Sequence, residues 1–510
     1  MAPVAPLATN SAVLTRPSTT VLPSTDDSAT PSFLITVDNK SYKHQYANIY
    51  FVRLRILRGI VEEKARQRWH DIKGNPILVP KVLEVEKSQL CYIVGTVYMD
   101  MPLKPNVMED IARDNSIPPP PPLSKFYSPD DSIMLEDESG RIQLVGARVT
   151  DAKLVTGVII AALGMETPTG EFEVVDICYA EMAPQPRSNV EEEKMEVDAD
   201  PQADGWIAVV SGLDIGSPSA ADAQTQMLVE YLTGEEGGPG QQISASQISR
   251  LIIAGDSLAP VVLTSTKGEG FDEKEGRKGR RYGYDATSFS PHPTLSLSAH
   301  LLDIARTMPI HLLPGETDPS GVILPQQPFP RAMFGTVSSF GSFSCETNPT
   351  YLRIASASEN SEITRTLLVN SGQPLNDMFK YLASPPNTPL SLLESTLRWR
   401  HMAPTAPDTL WCHPYFKADP FLISQTPDLY IVGGQRRFGT KMVVESHKDG
   451  KAQQRCRVVL VPRFADTGML VLVNLRTLDV KCVKFGIKGM SGGSADGVQV
   501  QVKPDPDAAQ

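Results

Sequence analysis

From Trp206 onward the chain keeps returning to one pattern, a short apolar run that stops at a glycine or a small polar turn. Trp206 to Ser211 (WIAVVS), Ser249 to Ala254 (SRLIIA) and Pro309 to Leu313 (PIHLL) read as buried strands. Ala220 to Leu232 and Leu295 to Thr307 read as helices between them. Strands alternating with helices in this way predict an α/β layered domain. Such domains carry their chemistry at the carboxyl ends of the strands. Four later runs extend the strand count: Leu429 to Val432, Arg457 to Val461, Met469 to Asn474 and Lys481 to Phe485.

Upstream the period is different. Leu90 to Tyr98 (LCYIVGTVY), a hairpin from Ile133 to Leu144 turning at Ser139-Gly140, Leu154 to Leu163 and Glu171 to Cys178 are short β-type runs. With one longer excursion, Met101 to Lys125, they match a small Greek-key barrel of the OB type. A generic β-sandwich has the same strand content and is the alternative. Before the barrel, Lys43 to Trp69 reads as one helix, with Tyr46, Tyr50, Leu54, Leu57 and Val61 on an apolar face. Arg53, Arg55, Arg58, Lys64, Arg66 and Arg68 are expected on the rest of it, interrupted by Glu62 and Glu63 and so facing solvent or protein, with DNA contact the weaker alternative.

The chain therefore divides into a disordered tail (1–31), a basic amphipathic helix (32–75), the barrel (76–183), an acidic flexible linker (184–204), the α/β domain (205–486) and a second disordered tail (487–510). The fold class expected is a multidomain α+β and α/β chain. An insertion at 265–293 carries Arg277-Lys278-Gly279-Arg280-Arg281, which has the composition of a nuclear-import signal or of a solvated loop. The net charge of −11 argues against nucleic acid wrapped over the whole surface. The 6 cysteines are scattered without a C-x-x-C pair, neither a zinc pattern nor a small disulfide framework, and suit a reducing compartment. No apolar run approaches the length needed to cross a membrane. Before Asp26 Arg16 is the only basic residue, too little for a mitochondrial presequence, and no secretory h-region is present.

The strand ends hold the skeleton of a two-metal phosphoesterase. Such enzymes bridge two cations with a carboxylate flanked by His, Asn and Asp ligands, delivered as D-x-H, G-D, G-N-H-[DE], a lone His and G-H-x-H. Here the first station reads Ser211-Gly212-Leu213-Asp214, with Gly212 in the Asp position and Asp214 in the His position. The second keeps Asp256, the bridging carboxylate. At the third, Gly315-Glu316-Thr317-Asp318, Glu316 and Thr317 replace Asn and His. The fourth retains His401, and the fifth reads Gly433-Gly434-Gln435-Arg436, both histidines gone. Arg436 is expected to place a permanent positive charge where a dication should sit. On this reading Gly212, Asp214, Asp256, Glu316, Thr317, His401, Gly434 and Arg436 are vestigial positions. No catalytic residue, resident metal or cofactor is expected. A single adventitious cation held by Asp214, Asp256 and Glu316 is the weaker alternative.

A barrel followed by such a domain resembles the B-subunit family of eukaryotic replicative polymerases, and within it the small subunits of polymerase delta, of fungal type. The likeness rests on Gln45-Tyr46-Ala47-Asn48-Ile49-Tyr50 with Arg53-Leu54, Val94-Gly95-Thr96, Met101 to Pro105, Pro314 to Pro319, Leu324-Pro325-Gln326-Gln327-Pro328, Arg400 to Leu410, Phe416 to Phe421 and Leu472 to Arg476. It runs from about Tyr42 to Phe485 and departs in the tails, the linker and the insertion. The resemblance implies a nuclear, non-catalytic subunit acting in DNA replication and repair. It would bridge the metal-binding carboxyl-terminal region of the catalytic subunit and a third accessory subunit, and would be shared with the catalytic subunit of polymerase zeta. DNA would be touched at most indirectly, and no membrane is involved.

Two rival functions remain open at this point. An active metal-dependent 3′–5′ exonuclease or phosphodiesterase requires the histidines that Gly433 to Arg436 lack. An OB-fold binder of single-stranded DNA requires aromatics and cations lining one groove, and the barrel segment is poor in aromatics and rich in acids.

Overall fold

The computed structural model describes residues 14–23, 30–37, 40, 45–105, 123–185, 205–217, 221–235, 237–260, 291–358, 361–445, 454–486 and 499–501. The first strand, β1 (Thr19–Leu22), belongs to a sheet assembled far downstream. Next come β2 (Ile77–Leu78), β3 (Cys91–Asp100), β4 (Ser132–Glu136), β5 (Arg141–Val145), β6 (Ile159–Glu166) and β7 (Phe172–Cys178). They pair in the order β2-β3-β4-β5-β7-β6, and a further β3–β6 ladder closes the ring. That is the Greek-key barrel expected, and not an open sandwich.

Apolar alternation fails on β3 and β6 for a physical reason. Ile93, Val97, Ile160 and Ala162 point into the barrel core. Tyr92, Val94, Ile159, Ala161 and Leu163 point outward, but the helix Asn48–Trp69 covers them with Leu54, Leu57, Val61, Ala65 and Trp69. Strands buried on both faces have no polar side to show.

The α/β domain contains two stacked sheets. Its strands are β8 (Trp206–Val210), β9 (Ile248–Ala254), β10 (Ile310–Leu313), β11 (Phe343–Cys345), β12 (Thr350–Ser358), β13 (Ser361–Asn370), β14 (Leu429–Gln435), β15 (Gly439–Glu445), β16 (Gln454–Pro462), β17 (Met469–Asn474), β18 (Val480–Lys484) and β19 (Gln499–Gln501). One sheet runs β11-β10-β9-β8-β17-β18-β19 and the other β1-β12-β13-β14-β16-β15. Val209, Ile252, Leu313, Leu367, Ile431 and Val459 fill the space between them. Helices Ala221–Thr233 and His292–Ala305 cover the first sheet from outside, where Leu228, Leu232, Leu297 and Leu301 are buried. Helices Gln373–Lys380 and Pro389–Trp399 lie outside the second, and their Leu375, Leu393 and Trp399 belong to the same apolar cluster as the barrel's Ile93 and Val97. Barrel and α/β domain thus share one core rather than meeting across a wet interface.

Several expectations need correction. The N-terminal stretch expected to be a disordered tail is partly structured: β1 pairs antiparallel with β12, and Arg16 donates to the Leu232, Ala245 and Ile248 carbonyls. Cations are favoured at such helix C-termini, where backbone carbonyls lack partners. Residues 499–501 of the second expected tail pair with β18. The β12–β13 hairpin, β15, and the helices Pro239–Ser246, Gln373–Lys380 and Pro389–Trp399 have no counterpart in the sequence reading. Most of the acidic linker (186–204), of the excursion (106–122) and of the insertion (261–290, with the basic run) lies outside the described residues.

A candidate site at the strand ends

The turns leaving β8, β9, β10 and β14 and the residue following β16 meet at one edge of the sandwich. Tight backbone reversals bring them there: Gly212, Asp214, Gly255, Asp256 and Gly434 all have φ between 48° and 82°. Asp tolerates this left-handed region better than most side-chain-bearing residues. Asp256 is buried, and its Oδ1 accepts from the backbone N–H of Thr317 (3.0 Å) and from the Thr317 hydroxyl (3.2 Å). Asp318, next in line, accepts from the N–H groups of Leu258 and Gly315, each at 2.8 Å. Burial pushes its pKa up to about 7, against the pull of those backbone donors. Ser211 Oγ donates to the Ala254 carbonyl and accepts the Gly434 N–H, both at 2.8 Å.

The cation in this site is Arg463, which directly follows β16. Its guanidinium pairs with Asp214 Oδ2 and, at 3.4 Å, with Asp256 Oδ2. Burial works against the Arg463 charge, but the hydrogen bond to Asp214 and the nearby carboxylates more than offset it and raise its pKa. Burial also raises the Asp214 pKa, with Arg463 opposing. Arg436, expected in this role, is exposed. The β14–β16 ladder shifts register between Val432 and Gln435, and its last pair, Gln435 with Pro462, comes just before Arg436. Gly212 explains how Arg463 fits. A Cβ at Gly212 would stand 2.9 Å from the Arg463 Cβ, so a carboxylate-bearing residue there would collide with the arginine.

Tested against a pair of divalent cations, these residues do not fit. Dications of this kind need several oxygen or imidazole donors each. Asp214 and Asp256 already spend an oxygen each on Arg463, and Asp256 Oδ1 is taken by Thr317. Asp214 Oδ1 is left as a single buried acceptor without a hydrogen-bond partner. Glu316, the third carboxylate expected beside them, is exposed. Among the described residues no group of three or more His, Cys, Asp or Glu side chains is arranged to hold a metal ion.

His401 is the other displaced expectation. It is buried where the first helix, the barrel and the α/β loops converge. Its Nδ1 accepts the Ala403 N–H (3.1 Å), so Nε2 carries the proton and donates to Asp419 Oδ2 (2.7 Å). The same Asp419 oxygen accepts from Arg53 Nε at 2.8 Å. Arg53 also donates to the carbonyls of Gly157 in the barrel (3.0 Å), Pro404 (2.7 Å) and Ala406 (3.0 Å). Burial first, and then the Arg53 cation, holds the imidazole pKa down at about 4, so it stays neutral. Burial opposes ionisation of Asp419, yet His401 and Arg53 outweigh it and keep that carboxyl well below its usual range. Arg53 itself, expected on the polar face of its helix, has a fully buried side chain.

A neutral network that sequence reasoning missed joins the two sheets near the first site. Asn348 Nδ2 donates to Gln326 Oε1 (2.7 Å) and Gln373 Oε1 (2.9 Å), and Gln326 Nε2 donates to the Gly315 carbonyl (2.9 Å). The Leu324 to Pro328 segment is thereby a packing element of the domain.

Comparison with known proteins agrees with this architecture. Residues 45–177 match the family described as DNA polymerase delta subunit OB-fold domain, and residues 207–440 match the B-subunit family of DNA polymerases alpha and epsilon. The chain is 36% identical to the DNA polymerase delta small subunit of Arabidopsis thaliana, covering 86% of this chain and 91% of that one. It is 34% identical to the DNA polymerase delta small subunit of Saccharomyces cerevisiae, over 89% and 92% of the two chains. Likeness to DNA polymerase delta subunit 2 of Drosophila melanogaster is 29%, over 89% and 96%. With relatives this similar over nearly their whole length, the chain belongs to the family of DNA polymerase delta small subunits.

Proposed function

We propose that this protein is a non-catalytic accessory subunit of the DNA polymerase delta holoenzyme, built on a phosphodiesterase-like framework whose metal positions have passed to an arginine. The observation that carries this reading is the mutual fit of Gly212 and Arg463. The side chain missing at Gly212 vacates the space that Arg463 occupies, and the arginine bonds to both Asp214 and Asp256. A fixed guanidinium there repels a dication and has no open coordination position to polarise a phosphodiester. Nuclease chemistry is therefore disfavoured.

On this reading the protein works in the nucleus by holding other chains together. It bridges the carboxyl-terminal metal-binding region of the catalytic subunit and a third accessory subunit, and it serves polymerase zeta in the same way. The core shared by barrel and α/β domain gives such a bridge a fixed geometry. Co-expression with the carboxyl-terminal segment of the catalytic subunit should yield a one-to-one complex that survives moderate salt. Separate elution of the two chains would count heavily against the proposal.

A further inference from the structure

The first helix carries one cation, Arg55, that pairs with no carboxylate among the described residues. Arg53 meets Asp419, Arg58 meets Glu138, Lys64 approaches Glu445 at 3.8 Å, Arg66 meets Glu63 and Arg68 meets Asp176. Arg55 is exposed and has no carboxylate partner among the described residues. It shares a helix face with Asn48 and Phe51, seven and four residues before it in the helical repeat, and Phe51 is 59% exposed. Asn48 ties that face to a neighbouring loop by donating to the Phe416 carbonyl at 2.9 Å. Lys417, the next residue, is likewise exposed and unpaired among the described residues.

The same loop presents Trp411, 65% exposed. Its backbone is fixed from the other side: the Trp411 carbonyl accepts the Leu324 N–H (2.9 Å), and His413 donates back to the Leu324 carbonyl (2.8 Å). Leu324 and Cys412 point inward and are buried, so their neighbours Trp411 and Ile323 face out, beside Val322 at 72% exposure. Trp411 and Phe416 are five residues apart, so at most about 18 Å separates their Cα atoms. A tryptophan on a rigid loop, flanked by aliphatic side chains, is the usual anchor of a protein interface, because little side-chain or loop freedom remains to be lost on binding.

We infer that the strip from Val322, Ile323 and Trp411 along this loop to Phe51 and Arg55 is a docking surface for an apolar, carboxylate-bearing segment of the large polymerase subunit. This rests on the accessory-subunit reading above. Charge complementarity selects the occupant. In a chain of net charge −11, two unpaired cations at the edge of an apolar strip call for acidic side chains. They are too few to hold a nucleic-acid backbone, which takes a cation at each of many phosphates.

The test compares full-length chains co-expressed with the large subunit of polymerase delta: unmodified, Trp411→Ala, Arg55→Glu and, as a control on the outer helix layer, Leu295→Ala. Trp411→Ala should weaken the complex by about thirtyfold or more. Arg55→Glu should weaken it at low salt and less at high salt. Leu295→Ala should bind as the unmodified chain does. If the unmodified chain fails to form a complex, the accessory reading itself falls. If it forms one and Trp411→Ala and Arg55→Glu bind as well as it does, the strip is not the docking surface although the reading stands. A dimer of the purified chain that Trp411→Ala dissolves, or single-stranded DNA binding that it abolishes, would equally overturn the inference.

Discussion

Two arginine–carboxylate clusters in this molecule look alike in sequence and are opposite in physics. Arg53 and Asp419 have fully buried side chains, and the cluster joins the first helix, the barrel at Gly157 and the α/β loops at Pro404 and Ala406. Arg463 is 28% exposed and bonds two carboxylates at the rim of the sandwich. Surrounding structure satisfies the first cluster almost completely, so removing one member strands a buried charge. Water can reach the second, so its contribution to stability is modest. A retained histidine or aspartate therefore says little about chemistry until its partners are known. His401 has the residue type the motif calls for and serves the joint instead.

The sharpest way to break this contrast is Arg53→Met, which should cost about 3–5 kcal/mol in urea unfolding because Asp419 is left ionised and buried. A loss below about 1 kcal/mol would mean that the two clusters are energetically equivalent. Next in size is the pH dependence at His401. Its folded pKa of about 4 lies below the unfolded value of 6.5, so acid protonates the unfolded chain first and stability falls as pH drops from 6.5 towards 4. His401→Gln removes that titration. The stability advantage of the unmodified protein over His401→Gln should shrink by roughly 3 kcal/mol between pH 7 and pH 4. A pH-independent difference would show that the imidazole is not held neutral. The smallest effect belongs to the rim: Arg463→Ala should cost about 1 kcal/mol, and Arg436→Ala should stay within about 0.5 kcal/mol of the unmodified protein. If Arg436→Ala cost more than Arg463→Ala, the roles given to the two arginines would be reversed.

Much of this was legible in residue patterns. The apolar runs from Trp206 onward marked the strands, and the turns after them marked the edge where Asp214, Asp256 and Thr317 gather. The barrel's strands were readable as short β-type runs broken by turns, but those runs fit a sandwich as well, and only the β3–β6 ladder closes the ring. Arg463 was not readable, because it belongs to none of the motif stations, although it follows the apolar run of β16 just as Gly212 closely follows that of β8. Arg53 carried a usable signal. Ile49, Arg53, Leu57 and Val61 recur every four residues, which puts Arg53 on the buried face despite its charge. β1 gave almost none, since an edge strand of 4 residues is held by backbone pairing and by Arg250 donating to Thr19.

Manganese titration of the purified full-length protein, read by cleavage of single-stranded DNA alongside bound-metal analysis, decides whether Arg463 has taken the place of the metal ions. With Arg463 seated between Asp214 and Asp256, no saturable site and no cleavage above the metal-free blank should be found. A pair of tightly bound Mn²⁺ ions per chain, with cleavage that Asp256→Asn abolishes, would contradict that replacement.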